Sequence, residues 1–324
     1  MLSVNSRRLA AALAVAAAAA AAPPPQVNNR PIVAILTLPV DLPDNPPGTT
    51  SYFPASYVKF VEAAGARVVP LRYDAPPSAT AALLSRVNGV VFTGGAAAFF
   101  RADGELSQYG ATAKAAFDAT VAAAAAGEWF PLHGTCLGFE LVMTLAANNA
   151  SVLSHKFDSE NLLLPLELTP DAAASRLFAG APPSVLATLG GAPSTANMHT
   201  SAVTPADFAA NPGVATRFRV LSTNVDRGGR RFVSTAEAPD MPVTATQWHP
   251  EKATWEWTTT EDLPHDAAGV LANQWVSAFF GGEVRRSTRA YPNATLEAAE
   301  LIYNYPATYV HSTNFEQVYF FSPQ

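Results

Sequence analysis

Apolar residues in the first half of the chain alternate between short unbroken runs and stretches with helical spacing. Residues 31–37, 67–71 and 89–92 are apolar runs of strand length. Between them, 54–64 carries Tyr57, Phe60, Val61 and Ala64 at helical spacing before Gly65, and 79–87 repeats the pattern. A long alanine-rich helix is predicted at 111–126. Trp129, Phe130 and Leu132 then lead as a strand to Cys136, and 139–147 is the next predicted helix. Strands that are apolar throughout, with helices between them, imply a parallel sheet covered on both faces. The predicted fold is an α/β three-layer sandwich with a mainly parallel central sheet.

Beyond residue 150 the pattern changes. Segments 152–168 and 218–249 hold closely spaced β runs, at 218–223, 231–235 and 243–248, with a turn signal in Asp226-Arg-Gly-Gly229. Residues 266–280 return to helical spacing. The tail is polar and then aromatic, and is expected to wrap the domain rather than fold alone. One catalytic domain is therefore expected over 31–282, with 283–324 as an extension packed on it. No internal repeat is present.

At the other end, Arg7-Arg8 precedes an alanine-rich apolar stretch over 9–22, the order of a secretory signal peptide. A low-complexity alanine tract is the plainer reading. Residues 23–30 read as a stiff, proline-rich linker. The triplets at Asn149 and Asn293 are candidate N-glycosylation sites, in keeping with a secretory route to a vacuole, a lysosome or the exterior. No later segment is expected to span a membrane.

Composition narrows the chemistry. Nearly half of the residues (49%) are hydrophobic, so a large core is available. The net charge of −6, with no basic stripe, argues against nucleic acid as a partner. A single cysteine excludes an internal disulfide framework. In an oxidising compartment an unpaired thiol is a liability unless it has a job.

That cysteine sits in Gly134-Thr-Cys136-Leu-Gly138, between a predicted strand and a predicted helix. This is the cysteine form of a nucleophile elbow. The turn would present the sulfur, and the positive end of the helix would favour the thiolate. A cysteine nucleophile needs a base and a group to orient that base. Gln247-Trp-His249-Pro-Glu251-Lys252 ends a β run and offers both. His249 and Glu251, two residues apart on an extended chain, can point to one side. The amide of Leu137 is the default oxyanion donor, and Gly94 and Gly95, at the end of the 89–92 strand, are candidates for the second. Each signal has a bland reading. A lone cysteine is commonly a small buried hydrophobe, and His-Pro-Glu can end an ordinary strand. No histidines show metal-binding spacing, and the thioester route needs no cofactor.

Together these motifs resemble the class I glutamine amidotransferase-like fold, and within it the gamma-glutamyl hydrolase family. The resemblance is carried by Gly-Thr-Cys-Leu-Gly-Phe-Glu, Gln-Trp-His-Pro-Glu-Lys and Thr93-Gly-Gly, and extends from about residue 30 to the C-terminus. It implies Cys136 as nucleophile, His249 as base and Glu251 as the orienting acid. It also implies substrate contacts for Tyr52, Glu140 and His199, whose plain readings are a packing aromatic, a capping carboxylate and a structural histidine. Small-molecule substrates are implied, folate poly-γ-glutamates or other γ-glutamyl peptides, and a homodimer fits the family. The chain departs from the family pattern at His133, where tryptophan is usual, and at Thr200-Ser201, where Lys-Trp is usual. These departures put the cleft lining in doubt. His265 reads as structural, and His155 and His311 carry no assigned role. Two rival readings remain: a glutaminase subunit feeding ammonia to a synthase, and an inactive binding glycoprotein on the same fold.

Overall fold

The computed structural model describes residues 28–40, 42, 45–310 and 314–323. The leader expected over 1–22, most of the linker and His311 lie outside the described residues.

Eight strands build the central sheet, in the order Arg67–Leu71, Ile32–Leu36, Gly89–Phe92, Leu132–Thr135, Val243–Thr246, Arg231–Ala238, Arg219–Val225 and Glu167–Leu168. The first five run parallel and the remaining pairings are antiparallel. Side chains on a strand alternate between faces, and the core divides accordingly. Ile32, Ala34 and Leu36 join one apolar cluster, and Val33 and Ile35 join another. Helices Pro77–Leu84, Gln108–Ala125 and Leu137–Ala147 complete the first cluster. Helices Ala55–Ala63, Pro183–Gly191 and Ala267–Val284 complete the second. The result is three layers, helix–sheet–helix.

Local chemistry sets the helix starts. Ser107 accepts a hydrogen bond from the Gly110 amide at 3.0 Å. Asp266 accepts from the amides of Ala268 and Gly269 at 3.1 and 3.0 Å. Each satisfies donors that the first helical turn leaves without partners.

Two smaller sheets flank the main one. The tail strands Ala307–Tyr309 and Gln317–Phe321 join Ser51–Pro54 and Leu38–Pro39 in an antiparallel sheet. Ser154–Leu164 pairs with Thr195–Ala202 in a two-stranded ribbon with two register shifts. No helix among the described residues is long and apolar enough to cross a membrane.

Three neighbouring parallel strands bring the predicted chemistry together. Gly89–Phe92 runs into Thr93-Gly94-Gly95, Leu132–Thr135 into Cys136, and Val243–Thr246 into the segment with His249 and Glu251. All three lead out at the carboxyl edge of the sheet, where ligands bind in open α/β folds.

Candidate active site

Cys136 is the hinge between its strand and the helix Leu137–Ala147, with φ 53° and ψ −107°. For a residue with a side chain this is strained backbone, a condition that concentrates at functional sites. The flanking glycines make the turn possible. A Cβ on Gly138 would collide with the Phe92 carbonyl oxygen, and one on Gly134 with the Gly138 carbonyl oxygen. The Cys136 amide donates to the Thr246 carbonyl at 2.8 Å, tying the elbow to the strand that carries the histidine segment. Its sulfur lies 3.8 Å from the Met198 carbonyl oxygen. The residue is only 5% exposed, yet it lines an open cleft of about 620 Å³.

His249 Nδ1 pairs with Glu251 Oε1 at 2.6 Å, and both side chains are buried. The other ring nitrogen, Nε2, makes no hydrogen bond of ordinary geometry, and the Cys136 sulfur acts on the ring electrostatically. Burial alone would depress the imidazolium. The Glu251 carboxylate and Cys136 outweigh it and raise the His249 pKa to about 10. Burial likewise pushes the Glu251 carboxyl up, but the imidazolium and Lys252 hold it below its usual range. A Cβ on Gly94 would stand 2.6 Å from His249 Cε1 and 3.3 Å from Cys136 Cβ, so both side chains converge on that glycine.

The oxyanion donors differ in part from expectation. The Gly94 amide is already committed: it donates to the Tyr57 hydroxyl at 2.7 Å. Gly95 and Leu137 both line the cleft beside Cys136. Among the described residues neither amide donates to a backbone or side-chain acceptor. Leu137 is free because it opens a helix, and Gly95 because it occupies a loop with φ 132°. Both N–H groups therefore lie without a protein acceptor beside Cys136.

The family model for peptidase C26 matches residues 31–251, well over half of the chain. The chain belongs to the peptidase C26 family. It is 35% identical over 297 residues to gamma-glutamyl hydrolase B of Dictyostelium discoideum, covering 91% of this chain and 84% of that protein. It is 34% identical over 271 residues to gamma-glutamyl hydrolase of Homo sapiens, covering 83% of each chain. Among solved structures, it resembles the glutaminase domain of Trypanosoma brucei CTPS with bound acivicin. There the TM-score is 0.48 and the identity 15%, over 79% of this chain and 95% of that one.

The remaining residues fall into place around this peptidase C26 centre. Glu140 lines the cleft and is nine-tenths buried. Burial pushes its carboxyl up to about 8, against the pull of a 3.2 Å hydrogen bond from Gln247 Nε2. Burial thus favours its neutral form, which can donate a hydrogen bond. His199 also lines the cleft. Its Nδ1 donates to the Ser201 carbonyl at 2.9 Å, leaving Nε2 a bare acceptor. Burial depresses its pKa to about 3, so the ring is neutral. Tyr52 is different: it is buried in the core and absent from the cleft lining. Pairing of its strand with the tail strand turns it inward.

Two of the three departures from the family pattern do line the cleft, Thr200 and Ser201. His133 does not. It is buried among Phe60 and Phe280, with Nδ1 3.0 Å from Thr244 Oγ1, and its pKa is lowered to about 4 by burial. His265 stacks on Trp257 at 4.1 Å, outside the cleft lining.

Sequence reading missed Tyr57. Its hydroxyl accepts from the Gly94 amide and lies 3.5 Å from His249 Nδ1. Burial, Glu251 and Cys136 all disfavour its ionisation, so it remains a phenol. It fixes the Thr-Gly-Gly loop against the histidine.

Proposed function

We propose that this chain hydrolyses γ-glutamyl bonds, with folate poly-γ-glutamates as the substrate class, through a thioester on Cys136. The observation that carries this reading is that a Glu251-held His249 and Cys136 converge on Gly94, while Cys136, Gly95 and Leu137 line one cleft. The relatives' name, gamma-glutamyl hydrolase, supplies the bond type.

In this mechanism the Cys136 thiolate attacks the γ-carbonyl carbon. The developing oxyanion is received by the Gly95 and Leu137 amides. His249, as imidazolium, protonates the leaving amine, and the C–N bond breaks to leave a γ-glutamyl thioester. His249, now neutral, takes a proton from water, which attacks the thioester and releases the γ-carboxylate and the thiolate. Glu251 holds the imidazole in orientation throughout. Glu140, on the cleft wall, meets a substrate polar group.

Purified protein is expected to cleave pteroylpolyglutamate, and Cys136→Ala to abolish turnover while the circular dichroism spectrum stays unchanged. Full activity in the alanine variant would overturn the assignment. Ammonia release from free glutamine without cleavage of γ-linked peptides would instead favour the glutaminase reading.

The secretory route belongs to the same proposal. Asn149 and Asn293 are exposed, and their Oδ1 atoms accept from the amides of Ser151 and Leu296, both at 2.9 Å. Those bonds leave each Nδ2, the atom that a glycan modifies, unused. Expression in a glycosylating host should give a mass that falls on glycosidase treatment, and the Asn149→Gln/Asn293→Gln variant should show no such fall.

A further inference from the structure

The cleft that would receive a polyanionic substrate contains no lysine or arginine among its lining residues. Its ionisable walls are Glu140, Glu160, His155, His199 and Cys136. Burial disfavours the charged forms of Glu140 and His199. A carboxylate on the leaving residue therefore needs another partner.

His155 sits opposite Ser201 in the ribbon register, and its Nδ1 lies 2.8 Å from Ser201 Oγ. The backbone around it is fixed. Arg230 donates to the carbonyls of His155 and Lys156 at 2.7 and 3.1 Å, and its guanidinium lies 4.0 Å from the centre of the Phe157 ring. Directly after His155 the ribbon breaks register, and Lys156 takes φ 64°. Such bulges re-aim side chains next to binding sites.

Ser201 thus touches both cleft histidines. Its carbonyl accepts from His199 Nδ1, and its hydroxyl meets His155 Nδ1. The first contact makes His199 Nε2 an acceptor. When the hydroxyl donates in the second contact, the His155 proton sits on Nε2 and that atom is a donor.

We propose that His155, oriented by Ser201, is the specificity-determining residue that binds the α-carboxylate of the leaving residue. The proposal deepens the γ-glutamyl reading and rests on it for the identity of the leaving residue. Thr200-Ser201, where this chain departs from the family pattern, would then be a substituted recognition device.

The test measures equilibrium binding to Cys136→Ala protein, which requires no turnover. Two ligands are compared: γ-glutamylglutamate, and the same dipeptide with the α-carboxylate of its second residue converted to the amide. His155→Ala is expected to weaken the acid about tenfold, the scale of a lost hydrogen bond to a charged group. The amide should weaken far less, and its retained binding reports a folded cleft. Ser201→Ala should give an intermediate, acid-selective loss that Ser201→Thr restores. Equal loss with both ligands, or no loss with either, overturns the proposal. Failure of the unsubstituted enzyme to cleave γ-glutamylglutamate would instead strike the parent reading, and the binding comparison would still decide the role of His155.

Discussion

A single carboxylate sets the working state of the site. With its pKa raised to about 10, His249 remains an imidazolium across the neutral range. The sign of the linkage follows. Stabilisation from this raised group is fully present below an unfolded value of ~6.5 and is lost as pH rises through about 10. Glu251 works in the opposite direction. Its contribution is present above an unfolded value of ~4.3 and is lost as pH falls through its depressed folded value. Glu251→Gln should therefore move the alkaline limb of the stability–pH curve downward by a unit or more. It should also lower kcat/KM by roughly 10²–10⁴-fold. Thermal melts across pH 5–11 read the first effect, and an alkaline limb still near pH 10 would remove Glu251 as the cause. The pairing of His249 with Glu251 was legible in the chain from its two-residue spacing, although Glu251 takes a helical backbone (φ −75°, ψ −28°) rather than the extended one expected. Tyr57 was not, because its task arises only where a helix start meets a loop 37 residues later. The Gly94 donor was misplaced for the same reason: nothing in Thr-Gly-Gly shows which amide the phenol takes.

Between residue and molecule, the elements most legible in the chain are those buried on both faces. Segments 31–37, 67–71 and 89–92 appear as strands Ile32–Leu36, Arg67–Leu71 and Gly89–Phe92, because parallel strands in a covered sheet are apolar throughout. The strand Thr195–Ala202 was missed. Its sequence, Thr-Ala-Asn-Met-His-Thr-Ser-Ala, is largely polar, and its Met198–Ser201 stretch lines the cleft. The helix Pro183–Gly191 was also missed, as were the helices that start at Pro205 and Pro212, the last two being too brief for a periodic signal. The elbow helix has the least tolerance of all. Gly138→Ala would drive a methyl group into the Phe92 carbonyl of the neighbouring strand. A cost of about 1–3 kcal/mol is expected, seen as a lower Tm together with loss of activity as the nucleophile shifts. Gly191→Ala at a helix end, where a Cβ meets nothing within 4 Å, serves as the control. If both variants melt alike, close packing of strand against helix does not set the elbow.

Over the whole molecule, the tail is joined to the catalytic segment through contacts that no local pattern announces. Its aromatic residues implied that it wraps the domain. Its strand Gln317–Phe321 in fact pairs with Ser51–Pro54, a partner more than 260 residues earlier. That pairing places the Asn314 carbonyl 3.0 Å from Lys252 Nζ and the Glu316 amide 2.7 Å from Glu256 Oε2. Phe315 also packs against the Lys252 ammonium. Lys252 directly follows Glu251, and both Lys252 and Glu256 are buried. Burial, with the tail amide pulling the other way, leaves the Glu256 carboxyl at about 7. A chain ending at residue 306 loses these partners and exposes the Ser51–Pro54 edge. The ion pair of Lys252 with Glu261, at 2.5 Å, would then stand in water. Breaking buried polar contacts of this kind costs about 3–5 kcal/mol. The truncated protein should melt well below the full chain and, at temperatures where both are folded, show reduced kcat with the Glu251 segment loosened. A synthetic 307–324 peptide added in trans should restore part of both properties. Unchanged turnover in the truncated chain would confine the tail to a covering role.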